Sequence, residues 1–180
     1  MEKNKLIKYD QGELDKAGNS FAITNKLLAI KKTLPDLTIE ETATSPYINF
    51  NASTGLLWIE GISMPVNPSI FYRPVFEWID KYLENPQKDL TLRFFLKNVN
   101  TDTPKILLAL LKHGVDKADA RGVNCSVDWI YERNDEDILE LGEYLKTHLE
   151  VPFNLMQNLT WREKLERASK ERAKKIGKTN

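Results

Sequence analysis

The stretch Phe94-Phe95-Leu96-Lys97-Asn98-Val99-Asn100-Thr101-Asp102-Thr103-Pro104 decides how this chain is read. An apolar run gives way to two threonines, and a proline then opens a segment carrying Ile106, Leu107, Leu108, Leu110 and Leu111. Proline fits the first turn of a helix, where its missing N–H costs nothing. The pattern therefore predicts a strand, a turn and a largely enclosed helix in succession. The turn places hydroxyls at a helix N-terminus. Unpaired N–H groups and the positive end of the helix dipole favour a phosphate there, so a threonine in this position has the setting of a phosphorylated switch. Thr103, directly before Pro104, has a plainer role as N-cap. One helix needs one cap, which leaves Thr101 as the candidate for the switch.

Working upstream, Leu90 to Lys97 is the strand that feeds the turn, and before it Val75, Trp78, Ile79, Tyr82 and Leu83 trace a buried helical face. Pro74 is expected in the first turn of that helix, and Asn85-Pro86 ends it. Tyr47–Asn51 and Leu56–Gly61 read as a hairpin closed by Ala52-Ser53-Thr54-Gly55. Residues 1–41 form a leader in which Leu14, Ala17, Phe21 and Leu28 share a helical stripe. Downstream, His113-Gly114 is expected to cap the leucine-rich helix, and Val123 to Tyr131 alternates as a strand. Asn134 is expected as the next N-cap, with Asp135, Glu136 and Asp137 in a first turn that favours negative charge. Ile138, Leu141, Leu145 and Leu149 face inward, Pro152 to Met156 is a last strand, and Thr160-Trp161-Arg162-Glu163 is a capping box opening a basic terminal helix. Alternating strands and helices predict an α/β sandwich with a mixed sheet of about five strands. Three regions follow: a helical leader over 1–41, a domain over 42–158 and a basic helix over 159–180.

At 180 residues, with 41% hydrophobic and 29% charged side chains, the chain can bury the core of one globular domain. Its net charge is zero but unevenly spread: Thr44 to Leu159 holds 16 acidic and 11 basic residues, and 160–180 holds 3 acidic and 8 basic. The basic end has no interleaved aromatics or nucleic-acid reader motif, so nucleic acid is not the expected partner. No apolar run has the length of a membrane span and no signal-peptide core follows the first residues, so a cytoplasmic protein is expected. Cys125 reads as a packed strand position, and His113 and His148 as cations near helix C-termini. The acidic triplet at 135–137 could bind a divalent cation, but the helix first turn already explains it. Metal-ligand spacing, a glycine-rich phosphate loop and a nucleophile elbow are all absent from the sequence, so no enzyme, cofactor or metal is expected.

Several motifs taken in order resemble the SiaC family of bacterial regulatory phosphoproteins. Thr44-Ser45-Pro46-Tyr47-Ile48-Asn49-Phe50 is similar to that family's first strand, and Gly61-Ile62-Ser63-Met64-Pro65-Val66-Asn67 to its Gly-x-Ser-Tyr-Pro-Glu-Asn turn. Phe71-Tyr72-x-Pro74, Trp78 and Tyr82 follow in register, Asn100-Thr101-Asp102-Thr103 resembles Asn-Thr-Ser-Ser, and Trp129-x-Tyr131, Asp135-Glu136-Asp137 and Gly142-Glu143 complete the series. The resemblance implies a fold like the STAS domains of anti-sigma-factor antagonists and a partner-switching role in signal transduction. A serine/threonine kinase would modify Thr101, a metal-dependent phosphatase would reverse it, and the bare protein would bind and activate a diguanylate cyclase or another effector. Asn100 would shape the loop, and the surface around Met64, Pro65, Asn67, Tyr72, Asn100, Asp102 and Thr103 would meet the partner.

Three departures from the family pattern bear on this. Met64 and Val66 replace a tyrosine and a glutamate, removing a hydroxyl and a charge from the expected partner surface. Asp102 sets a permanent negative charge beside Thr101, and Lys105 partly offsets it. Asp102 could thus act as a partial phosphomimic, which gives the alternative: a constitutive interaction module fixed in one state. An enzymatic role would need catalytic groups from a partner.

Overall fold

Six strands lie side by side in sequence order in a computed structural model of the chain, which describes residues 34–159. The helices expected within 1–33 and over 160–180 lie outside the described residues. The strands are β1 (Leu37–Ile39), β2 (Tyr47–Asn51), β3 (Leu56–Ser63), β4 (Asp89–Val99), β5 (Asn124–Glu132) and β6 (Phe153–Asn158). β1, β2 and β3 pair antiparallel, and β3 to β6 pair parallel. Three helices, α1 (Pro68–Tyr82), α2 (Thr103–Asp119) and α3 (Glu136–Lys146), make the crossovers between the parallel strands. The mixed α/β sandwich is as expected, with β1 added at the edge of the sheet.

Strand register shows which face is the core. Phe50, Leu57, Leu92, Val127 and Phe153 form one row across the sheet, and Ile48, Ile59, Phe94, Trp129 and Leu155 the next. Side chains two residues apart share a face, so both rows look the same way. All of them are buried except Leu155, which is half-buried. Trp78 of α1 meets Phe50 edge-on at 5.4 Å between ring centroids, and Gly114 of α2 lies against Leu92. Ile138 of α3 accepts the Trp129 indole N–H through its carbonyl at 2.8 Å. All three helices therefore cover one face. Gly142 lets α3 come this close: a Cβ there would sit 2.6 Å from Trp129 Nε1 and 2.9 Å from Leu155 Cδ2.

Local chemistry moves several boundaries from where sequence periodicity put them. β1 falls inside the stretch assigned to the leader, because three residues are too short to show a period. Pro35 and Asp36 tie this stretch down: Trp78 Nε1 donates to the Pro35 carbonyl at 2.9 Å, and the Ala52 N–H donates to Asp36 Oδ1 at 2.8 Å. α1 begins at Pro68 under an Asn67 cap, so Pro74 lies inside the helix and not in its first turn. The third helix is capped by Asp135, whose side chain accepts the Ile138 N–H at 3.1 Å, and not by Asn134. His113-Gly114 does not end α2, which runs on to Asp119. Instead, His113 Nε2 and Lys117 Nζ each lie 2.6 Å from Asp80 Oδ1 and clasp α2 to α1. His148 does serve a helix end, donating from Nδ1 to the Tyr144 carbonyl at 2.8 Å.

Gly142→Ala overpacks the Trp129 contact and should destabilise the fold by about 1–3 kcal/mol, read as a lower denaturant midpoint at unchanged slope. Asp80 supplies a second expectation. Desolvation pushes its carboxyl up, but hydrogen bonds and charges from Lys117 and His113 outweigh this and hold it below its ordinary value of 3.8. A folded-state pKa below the unfolded one gives stability that is full above the unfolded value and lost as pH falls through the folded value. Asp80→Asn should therefore melt lower than the parent at neutral pH, and the gap should close on acidification below about pH 4.

Candidate functional site

Parallel pairing brings the C-terminal ends of β3, β4 and β5 to one edge of the sheet, and with them the turns at 64–67, 100–102 and 133–135. Between Gly61 and Ile62 the register slips by one, so Gly61 faces Leu96 and Ile62 faces Asn98, and Lys97 is the extra residue of a bulge. Gly61 adopts φ +102°, a conformation in which a side chain would be strained. The bulge brings Ser63 opposite Val99 and lets the Asn100 N–H donate to the Ser63 carbonyl at 3.2 Å.

Asn100 then joins the two turns. Its Nδ2 donates to the Pro65 carbonyl at 3.0 Å, and its Oδ1 accepts the Thr103 N–H at 2.9 Å. The Thr103 hydroxyl lies 2.7 Å from the same Oδ1 and 2.9 Å from the Ser63 carbonyl. Below them Ser63 Oγ and Tyr72 Oη are 2.8 Å apart, and burial pushes the Tyr72 phenol up to about 12 despite that bond. The Met64 N–H donates to the Thr44 carbonyl at 2.8 Å, adding the start of β2 to the frame. Each buried polar atom here has a partner, as burial demands.

Thr101 stands apart from this network. It is exposed and forms no hydrogen bond among the described residues. Asp102 occupies the N-cap position of α2 without a side-chain capping bond, and Pro104 has no N–H to offer. Thr103 is therefore not the N-cap expected from sequence. It is the first helical residue, its hydroxyl turned back to β3, and Asn100 supplies the capping oxygen.

Of the residues expected to meet a partner, Asn67 and Asp102 are exposed, Met64 and Asn100 are half-buried, and Pro65 is buried. Tyr72 and Thr103 have no exposed surface, so neither can touch a partner directly; both hold the frame. Sequence reasoning left Ser63 out of the site although it lay in the quoted Gly-x-Ser motif. Val66, expected on the partner surface, is 102% exposed, and beside it sequence reasoning missed a second apolar side chain at the surface, Ile70 at 59% exposure. The signal for Ile70 was the Asn67-Pro68 helix start, which puts it in the first turn beside the pinned 64–67 turn.

Other candidate chemistry lies away from this frame. Burial raises the Cys125 thiol to about 11, which suits packing and not nucleophilic attack. A shallow polar depression of about 570 Å³ is lined by the consecutive residues Glu132, Arg133, Asn134, Asp135, Glu136 and Asp137. Among the described residues, no group of three or more His, Cys, Asp and Glu side chains could hold a metal ion. None of their helices is long and apolar enough to cross a membrane.

Comparison with known proteins adds to this geometry. The model of the SiaC family regulatory phosphoproteins matches residues 39–158. An uncharacterized protein of Pseudomonas aeruginosa is 29% identical over 120 residues, covering 67% of this chain and 94% of that protein. Among solved structures, the complex of the diguanylate cyclase SiaD with its activator SiaC from Pseudomonas aeruginosa matches at 27% identity and a TM-score of 0.63. That match covers 68% of this chain and all of the matched one (100%). A structure of Pseudomonas aeruginosa SiaC matches at 26% identity and a TM-score of 0.62, covering 69% and 99%.

The frame and the tip should separate on mutation. Asn100→Ala strands the Thr103 N–H and the Pro65 carbonyl and should cost about 1–3 kcal/mol in chemical denaturation, whereas Thr101→Ala should stay within about 0.5 kcal/mol of the parent.

Proposed function

The chain belongs to the SiaC family of regulatory phosphoproteins, and from that premise we propose that it is a non-catalytic signalling protein switched by phosphorylation of Thr101. The observation that carries this reading is the contrast at the β4–α2 turn. Thr101 presents a free hydroxyl to solvent and its neighbour Asp102 an exposed carboxylate, while Asn100 before them and Thr103 after them are bonded to the 64–67 turn and to β3. A kinase can reach such a group without unfolding its surroundings. A phosphate there changes the charge of a surface whose shape stays fixed.

Bare, the turn carries the single exposed carboxylate of Asp102 and, with the apolar Val66 and Ile70 beside it, forms a docking rim for an effector. A diguanylate cyclase is the first candidate, since SiaC is crystallised as the activator of one. Phosphorylation adds roughly −1.5 to −2 charges at that rim, and a desolvated interface built around a hydroxyl cannot hold them. A serine/threonine kinase and a metal-dependent phosphatase set the state, and the exchange takes place in the cytoplasm. Asp102 supports a second reading. Its carboxylate is exposed and uncommitted to capping, so it can fix the surface in one state and make the protein a constitutive interaction module.

Incubation with the cognate serine/threonine kinase should add one phosphate by intact mass, lost in Thr101→Ala and kept in Thr103→Ser. A phosphate that persists in Thr101→Ala sinks the site assignment. Titration against the cognate cyclase divides the two readings: Thr101→Glu should weaken binding roughly 100-fold if Thr101 is a switch, and leave it unchanged if the module is constitutive.

A further inference from the structure

Val66 holds a position from which an apolar side chain ordinarily serves the fold. It directly precedes the Asn67 cap of α1, where such a residue packs back against the fourth residue of the helix, here Phe71. That contact is not made: Val66 is fully exposed, while Phe71 packs onto the core and meets Tyr72 edge-on at 5.0 Å between ring centroids. The neighbours of Val66 on the outer side of α1 are apolar too. Ile70 and Pro74 are both exposed and follow it at steps of four residues, so the three form a ridge along the helix. Pro74 also has no N–H for the Ile70 carbonyl one turn back, so the ridge carries a backbone acceptor released from the helix ladder.

Resting on the reading that the Thr101 face meets an effector, we infer that this ridge seats against an amphipathic helix of that effector. The apolar stripe of that helix carries a hydroxyl or amide donor for the Ile70 carbonyl. A ridge of four-residue steps fits the groove of a second helix. The opposite side of α1 is already spent on the core, with Tyr72, Val75, Trp78 and Ile79 buried. Charge beside the ridge argues against a polyanion. Exposed Arg73 and Glu77 carry opposite signs on α1, as do exposed Asp102 and Lys105 at the start of α2, so neither a nucleic acid nor an anionic membrane finds a field of one sign. The ridge is also continuous with the switch. Asn100 Nδ2 holds the Pro65 carbonyl, one residue before Val66, and the Met64 N–H is held by the Thr44 carbonyl. A helix seated on Val66 therefore lies beside the Thr101 turn, and the pinned backbone spares that contact an ordering cost.

Titration of the full chain against the cognate cyclase tests this. Val66→Asp and Ile70→Asp should each weaken binding about thirtyfold with an unchanged melting temperature, and Val66→Leu should bind as the parent does. Pro74→Ala restores the N–H that engages the Ile70 carbonyl, so it should melt higher than the parent yet bind about fivefold more weakly. Raising salt should change the parent's affinity by less than about threefold. A photo-crosslinker, p-benzoylphenylalanine, placed at position 70 and separately at position 74 should give adducts three, four or seven residues apart in one cyclase segment. Adducts confined to this chain or to a second copy of it overturn the proposal. Parent-like binding by both aspartate variants also overturns it, even where Thr101→Glu abolishes binding. Loss in those variants with Thr101→Glu unaffected keeps the ridge and overturns the switch, and a parent that does not bind the cyclase overturns both.

Discussion

The Asn100 side chain donates to one turn and accepts from the next, and the C-terminal edge of the sheet depends on that double use. An aspartate could accept from Thr103 but could not donate to the Pro65 carbonyl, and a leucine of similar size could do neither. The bond has this reach because the bulge at Lys97 shifts β4 by one residue, sets Val99 opposite Ser63 and lets the Asn100 N–H donate to the Ser63 carbonyl. Backbone register, an amide and a buried hydroxyl therefore form one unit. Through Ser63 and Tyr72 this unit continues into α1, and through Thr103 into α2.

Fixing the neighbours of Thr101 so firmly decides how a charge at its hydroxyl would act. An added phosphate would sit on a two-residue tip anchored at both ends, by Asn100 on the Pro65 carbonyl and by Thr103 on the Ser63 carbonyl. The size of the Asp102 effect also follows. Two unit charges 4 Å apart interact by about 1 kcal/mol in water, and salt reduces this further at an exposed site. Like charges forced together in a desolvated interface cost several kcal/mol. Asp102 thus biases the free protein weakly, and any large effect of charge at this turn has to be read out by a bound partner.

The succession of strands and helices along the chain was legible in the sequence because strands of five or more residues and helices of three or more turns carry a period. β1 has three residues, and the tie between Trp78 and the Pro35 carbonyl spans 43 positions, so neither leaves a local signal. Cap positions were read one residue off at Asn134 because Asn134 and Asp135 are both good caps, and only backbone geometry distinguishes them. Thr103 misled for a related reason. Threonine before a helical proline has the composition of an N-cap, but a hydroxyl that can reach a buried carbonyl on a neighbouring strand is better spent there. Gly114 resembled a helix end for want of any sequence sign that Leu92 would press against it.

The buried and exposed halves of the site divide along the same line as the match to the family's motifs. Ser63, Tyr72, Asn100 and Thr103, which hold the frame by hydrogen bonds, fit the family pattern in chemistry, Thr103 keeping the hydroxyl of the serine it replaces. The departures fall outward: Val66 is fully exposed, Asp102 is exposed and Met64 is half-buried. A frame residue cannot change without stranding a buried polar group, whereas an outward one changes only what a partner meets. Replacing a glutamate by Val66 removes a charge that would favour a cationic partner surface, and together with Ile70 it creates an apolar one. The same scaffold can therefore present Thr101 in the same way while offering a different surface at the 64–67 turn.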